Sequence, residues 1–183
     1  MATFNLDTSK IIITLGNEDF FAENLEQYAH AYFLDMLVVY KQIVQNDEQG
    51  FTTRTILPAE VAESGLTMAD LDRIAKENTA RILPAKCVDF NGMTIVTNES
   101  GSMGASAVLY SDLVAEIANG FGSDVYLIPS SIHEFIVLPV GGFDVQSLCE
   151  MIREANSSVV RPKEVLSDHP YIYRRESAQI AVA

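Results

Sequence analysis

Ser130-Ser131-Ile132-His133-Glu134 is the one short run in this chain whose residue types could carry covalent chemistry. Along an extended strand side chains alternate between faces, so Ser131 and His133 share a face and a hydroxyl could meet an imidazole, with Glu134 beside them. The flanks argue otherwise. No G-x-S-x-G elbow presents the serine, and His133-Glu134 lacks the second histidine of an H-E-x-x-H zinc helix. The run therefore reads as a turn whose hydroxyls satisfy backbone groups, and no catalytic residue is predicted.

Other candidate chemistry is thinner. His30, His133 and His169 have no metal-ligand spacing, and Asp47-Glu48 before Gly50 lacks the ligand series and closing glutamate of a calcium loop. Gly101-Ser-Met-Gly104 and Gly120-Phe-Gly122 are turn glycines without the lysine of a phosphate loop. Cys87 and Cys149, 62 residues apart, form neither a disulfide framework nor a zinc knuckle, and each reads as a small apolar residue in a reduced compartment. Tyr126 and Phe135 fall at core-like strand positions without interleaved bases, unlike a stacking platform for nucleic acid. No metal and no cofactor are expected.

The elements that must position these residues alternate between strand and helix signals. Ile11 to Leu15 is β-rich, and Asn17 caps a short helix whose first turn holds Glu18 and Asp19, with Phe21, Leu25 and Tyr28 as its apolar stripe. Leu34 to Val44 is apolar and β-branched enough for a strand, with a helix running on from Glu23 as its competitor. A turn over Asn46 to Gly50 and an alternating strand from Phe51 would close a hairpin with it. Pro58 to Ser64 reads as a helix ended by Gly65, and Thr67-Met-Ala-Asp70 as a capping box ahead of Leu71, Ile74 and Ala75. Met93 to Thr97, Ala105 to Tyr110, Val125 to Ile128 and Ile132 to Leu138 read as strands, the last three as neighbours, with the chain turning at Pro129-Ser-Ser. Ser111 is expected to cap a helix from Asp112 to Asn119, and Asp144 one that carries Val145, Leu148, Cys149 and Ile152. Hairpins outnumber crossovers, so the expected fold is α+β: a single domain over 1–183, mainly antiparallel sheet with helices packed on one face. Residues 1–33 form a lead-in and helix, 34–160 the core, and 161–183 a tail.

Charge limits the partners. Net charge is −13, with 25 acids against 12 bases, yet 48% of residues are hydrophobic, so a folded object carries it. From Cys87 to Ile152, 66 residues contain no lysine or arginine but hold eight acids: Asp89, Glu99, Asp112, Glu116, Asp124, Glu134, Asp144 and Glu150. Ile11 to Tyr40 likewise holds Glu18, Asp19, Glu23, Glu26 and Asp35 without a base. Neighbouring pairs along a helix cannot neutralise such stretches, so they must leave an unbalanced negative field. That field opposes direct binding to nucleic-acid phosphates or to an acidic membrane. The N-terminus lacks the order of a signal peptide, and the longest apolar run, Met36 to Tyr40, is far too short to span a bilayer. A cytoplasmic location is expected.

Four stretches carry a resemblance: Ala69 to Thr79, Ile95 to Asn98 with Gly104-Ala-Ser, Leu127 to Glu134, and Glu164 to Asp168 before Tyr171. In that order the chain resembles an uncharacterised protein family abundant in gut clostridial bacteria. The resemblance is carried best by Pro129 to Glu134, covers about the last 150 residues, and implies a family whose members have a longer N-terminal segment. A small acidic relative of such a family is also similar to the type II anti-CRISPR proteins of gut metagenomes, of bacterial or phage origin. The resemblance implies a non-catalytic inhibitor of a type II RNA-guided DNA nuclease, docking on its basic nucleic-acid-binding surfaces through Glu18, Asp19, Glu23, Glu26, Asp112 and Glu116. The alternative is a cytosolic housekeeping domain or small-molecule enzyme that uses Ser131, His133 and Glu134.

Overall fold

The computed structural model describes residues 6–47 and 50–183. Its first sheet is built around one long strand. β1 (Ile11–Gly16), β2 (His30–Phe33) and β4 (Gly50–Thr55) all pair antiparallel with β3 (Met36–Asp47). β1 lies along Leu37 to Gln42 of β3, while β2 and β4 share the opposite side. The uninterrupted apolar runs of β1 and of Met36 to Tyr40 suit strands covered on both faces, and every residue of β1 is buried. Strand therefore wins over helix from Met36 on. Glu48 and Gln49 of the expected turn lie outside the described residues.

Helices close this sheet. Asn17 caps α1 (Glu18–Phe21) as expected, its Oδ1 accepting from the Asp19 amide at 2.8 Å, but the helix is brief and tightens into a 3-10 segment over Ala22–Gln27. α2 (Pro58–Glu63) starts on its proline, and Glu60 bonds both the Leu57 amide and Arg54. α3 (Met68–Ile82) begins with the Thr67/Asp70 capping box and buries Leu71 and Ala75. It lies along the free edge of β1, where the Thr79 hydroxyl accepts from the Ile13 amide at 2.9 Å. A strand edge that could template association is thereby covered.

The second sheet has the order β10-β9-β7-β8-β6-β5, all antiparallel. Its strands are β5 (Ala85–Phe90), β6 (Met93–Asn98), β7 (Val125–Ser131), β8 (Glu134–Pro139), β9 (Tyr171–Arg174) and β10 (Gln179–Val182). β5, for which the sequence analysis gives no strand, is held by a two-residue turn, Asn91-Gly92, with φ of +49° and +79°. This is the turn chemistry that matches strand twist in a hairpin.

α4 (Leu113–Phe121) and α5 (Val145–Ser158) lie on different faces of this sheet, so its helices are not packed on one face as expected. Leu148 and Ile152 of α5 are buried on the outer face, where Leu148 packs with Tyr126, Leu138 and Ile172. On the inner face one core joins both sheets, uniting Ile11, Ile13 and Tyr40 with Phe135, Val137, Tyr171 and α4. The architecture is a single α+β domain with antiparallel strands, realised as two sheets sharing one core. No helix among the described residues is long and apolar enough to cross a membrane.

Three expectations are corrected. Ala105 to Tyr110 is not a strand: Gly104–Leu109 is a buried 3-10 segment wedged between the sheets. β6 already has β5 and β8 on its two sides, so no ladder is open to the segment there, and the small residues Gly104 to Ala107 are all buried. A Cβ on Gly104 would lie 2.6 Å from the His133 carbonyl. The second hairpin turns at Ile132-His133, not at Pro129-Ser-Ser, because a register shift between Pro129 and Ser131 accommodates the proline within β7. Asp112, not Ser111, precedes α4, which runs on to Gly122.

Thr79→Val keeps the shape of the side chain but leaves the buried Ile13 amide without an acceptor. Urea denaturation should show a loss of about 1–3 kcal/mol, with Thr79→Ser losing clearly less because it retains the hydroxyl.

Candidate functional site

The end of β7 and the turn after it bring the serine and histidine residues together, but not as a nucleophile and its base. Ser131 Oγ accepts from the His133 backbone amide at 3.1 Å, and Ser130 Oγ donates to Glu134 Oε1 at 3.1 Å. His133 Nδ1 accepts from the Met103 amide at 3.1 Å, which places the proton of the neutral ring on Nε2. That nitrogen lies 3.9 Å from Glu164 Oε1. Neither ring nitrogen meets a hydroxyl.

The same turn is a hub of backbone bonds. The His133 carbonyl accepts from Thr97 Oγ1 at 2.8 Å, the Ile132 carbonyl from the Ala105 amide at 3.2 Å, and the Ile132 amide donates to the Glu164 carbonyl at 2.8 Å. Met103, held at φ +53°, is fixed by the imidazole. The block clamps β6, the 3-10 plug and the 162–164 segment to the hairpin. Beside it, a groove of about 540 Å³ runs between α5 and the outer face of the sheet, with Ile136, Met151 and Val159 among its walls. Its polar lining is Ser130, Ser131, Asn156 and Glu164, and the hydroxyls and the Asn156 amide are already engaged.

The predicted acidic residues fall into two groups. Glu18, Asp19, Glu23 and Glu26 are all exposed on α1 and the 3-10 segment after it. Partial desolvation, then a hydrogen bond to Glu18 and the charges of Glu18 and Glu26, raise the pKa of the Tyr32 phenol, so these two acids stand around an exposed ring on β2. Phe20 is exposed beside them. Asp112 and Glu116 sit elsewhere. Asp112 shares a hollow with Phe33 of β2 and with Ile180, whereas Glu116 faces β5. There Cys87 is exposed; partial desolvation of its sulfur, then the charges of Asp89 and Glu116, push the thiol pKa up.

Tertiary structure hardly changes the charge balance read from the sequence. Among the described residues, Arg174 reaches Asp124 at 3.6 Å and His169 reaches Asp35 at 2.8 Å, and no other ion pair touches the thirteen acids of the two base-free stretches. Most of the other ion pairs join residues close in sequence, as Lys76 with Asp72 and Arg73 with Glu77. No group of three or more His, Cys, Asp or Glu among the described residues could hold a metal ion.

One polar cluster had no signal in the sequence, because its members lie 134 and 136 residues apart. Asp35, in the β2–β3 turn, accepts from Tyr171 Oη at 2.7 Å and meets His169 Nε2 at 2.8 Å, linking the first sheet to β9 of the second. Burial opposes ionisation of Asp35, but the bonds from Tyr171 and His169 outweigh it and hold the carboxyl below the usual carboxylate range.

Residues 1–93 and 89–175 match the model of one family, a family of unknown function (DUF5688). The match reaches back to residue 1, beyond the stretches that carried the resemblance. No curated protein and no solved structure matches the chain.

His133→Ala should lower stability by about 1 kcal/mol, read as a fall in melting temperature, by releasing the Met103 amide. Asp35→Asn probes the link between the sheets. A carboxyl whose pKa is depressed by folding stabilises fully above its unfolded value, ordinarily 3.8, and loses that contribution as pH falls through the folded value. The wild type should therefore exceed Asp35→Asn by about 1 kcal/mol at pH 7, a modest figure because the carboxylate is half exposed and screened. That difference should shrink below about pH 4 in denaturant titrations, and a constant difference down to about pH 2 would refute the link.

Proposed function

We propose that the chain, which belongs to the DUF5688 family of unknown function, is a non-catalytic acidic binding protein that acts in the bacterial cytoplasm on a basic nucleic-acid-handling protein. The partner we assign is a type II RNA-guided DNA nuclease, as the resemblance to anti-CRISPR proteins implies. The observation that carries the reading is the unneutralised charge. Of thirteen acids in the two base-free stretches, Asp124 meets an arginine and Asp35 a histidine, and the other eleven form no ion pair among the described residues.

Such nucleases hold guide–target duplex and displaced strand in positively charged channels. A rigid surface of opposite sign is steered to such a channel and can occupy it. Glu18, Asp19, Glu23 and Glu26 supply charge around the exposed rings of Phe20 and Tyr32, which are suited to be apolar anchors within a charged rim. Asp112 and Glu116, exposed beside and on α4, add negative charge on separate parts of the surface. The alternative, an enzyme using Ser131, His133 and Glu134, gains no support from a ring whose Nδ1 is taken by a backbone amide.

The test is cleavage of a matched DNA target by loaded type II nucleases with and without the protein. Inhibition is expected, and it should weaken as salt rises from 0.1 to 0.5 M, where the Debye length falls from about 10 Å to roughly 4–5 Å. Reversing Glu18, Asp19, Glu23 and Glu26 to lysine should cost on the order of tenfold or more in affinity without lowering the melting temperature. Unimpaired cleavage by several such nucleases, with the protein in large excess, would overturn the reading.

A further inference from the structure

The two sheets treat their edges differently. The free edge of β1 is covered by α3, down to a hydroxyl that accepts the Ile13 amide. β5, at one end of the second sheet, pairs with β6 alone. Lys86 to Phe90 are all exposed, and among the described residues no hydrogen bond reaches the outer edge of the strand. The Asn91-Gly92 turn fixes which backbone groups look outward. Phe90 and Met93 close a two-residue hairpin as a hydrogen-bonded pair, so alternation directs Phe90, Val88 and Lys86 at β6, and Asp89, Cys87 and Ala85 at the open edge.

The side chains on the two faces of this edge are of opposite kinds. Val88 and Phe90 stand on the outer face, 42% and 57% exposed, opposite Ile95 and Met93. Cys87 and Asp89 stand on the inner face, where they open onto a hollow of about 510 Å³ between the strand and α4, floored by Leu113, Ile117 and Phe121 and carrying Glu116. Asp89 accepts from Thr94 Oγ1, Glu116 has no ion pair among the described residues, and no lysine or arginine lines the hollow.

We infer that β5 is a strand-addition site for an extended, basic segment of another protein. Its backbone would bond to Cys87 and Asp89, its lysines or arginines would enter the hollow with Asp89 and Glu116, and its alternate apolar residues would cover Val88 and Phe90. A second copy of this chain does not fit. In an antiparallel self-pairing residues directly opposite share a face, so both Asp89 side chains and both Glu116 side chains would gather on one side of the joined sheet, between two bodies of charge −13. The charges that deter self-pairing are the ones that select a basic strand. The inference refines the proposed function, since it names how a basic partner is gripped, and it rests on that reading only for the identity of the partner.

The probe is a synthetic ten-residue peptide of alternating lysine and valine, with a glutamate–valine peptide as control, and amide hydrogen exchange as the readout. The lysine–valine peptide should slow exchange at Cys87 and Asp89 by roughly tenfold or more, and the glutamate–valine peptide should not. Cys87→Pro removes an outward amide while sparing the bonds to β6, and should abolish the protection. Should that variant fold poorly, Glu116→Lys leaves the strand untouched and should weaken the lysine peptide while admitting the glutamate one. Absence of protection with the lysine peptide, protection indifferent to Glu116→Lys, or concentration-dependent protection of β5 without any peptide would each overturn the inference. A protein that inhibits the nuclease yet shows no protection at β5 refutes this inference alone. Protection at β5 without nuclease inhibition refutes the functional reading alone.

Discussion

Two antiparallel sheets in this protein share one apolar layer, and they can do so only because what lies between them is small. Gly104-Ala-Ser-Ala fills the gap with side chains of at most two heavy atoms, wound into a 3-10 segment that spans little width. Larger residues there would prise the sheets apart and expose Ile13, Val96 and Phe135, all fully buried now. The clamp at His133 follows from this constraint. A loop that delivers a glycine to within a Cβ's reach of another backbone must be held in register, and the imidazole, Thr97 and the Ile132 carbonyl hold it. Residues that looked like the makings of a catalytic site are the fastening of a packing site.

What was legible in the sequence, and what was not, follows the range of the interactions involved. Strands written as long apolar runs, the Thr67–Asp70 capping box, the Asn17 and Asp144 caps and the Pro58 helix start depend on residues within four positions of one another, and all are present. Ala105 to Tyr110 looked like a strand because alanine, valine and leucine in a short run satisfy strand patterning, whereas its conformation was decided by strands already flanking β6. β5 is not legible despite the strong hairpin signal of Asn91-Gly92, since Lys86 and Asp89 break the apolar alternation that marks a strand. The Asp35–Tyr171–His169 link had no local trace at all. Of the candidate site, the positions of Glu18, Asp19, Glu23 and Glu26 on one exposed segment were readable, but the turning of Glu116 toward β5, away from them, was set by the docking of α4.

The acidic field has a structural origin as well as a compositional one. Tertiary folding could have brought the twelve bases to the base-free stretches, yet most are committed elsewhere. Arg54 is tied to Glu60, Lys76 to Asp72, Arg73 to its helix neighbours and Arg161 to Glu164, while Arg81 bonds the Ser9 carbonyl. Only Arg174 and Arg175 are seen among the described residues to reach the second stretch, at Asp124 and at Asn119 and Gly122. Lys41 is partly buried in β3, where desolvation lowers its pKa. Cations used locally cannot screen distant carboxylates, so the imbalance that the sequence shows along the chain reappears on the surface.

Such an imbalance acts on the fold and on its partner in opposite senses. Like charges repel one another across the compact state, so added salt relieves a strain within the protein. The same salt weakens attraction to any cationic surface. Loss of association at high ionic strength therefore cannot be ascribed to loss of structure, because the structure gains from the screening that the association loses. A protein held together mainly by its shared apolar layer can carry this field without depending on it. Most of the fold's ion pairs are exposed pairs of small worth, and the better-buried Arg54–Glu60 pair lies away from both acidic groups. Stability thus resides in the interior and partner selection on the surface, and substitutions among the unpaired carboxylates should move the second with little effect on the first.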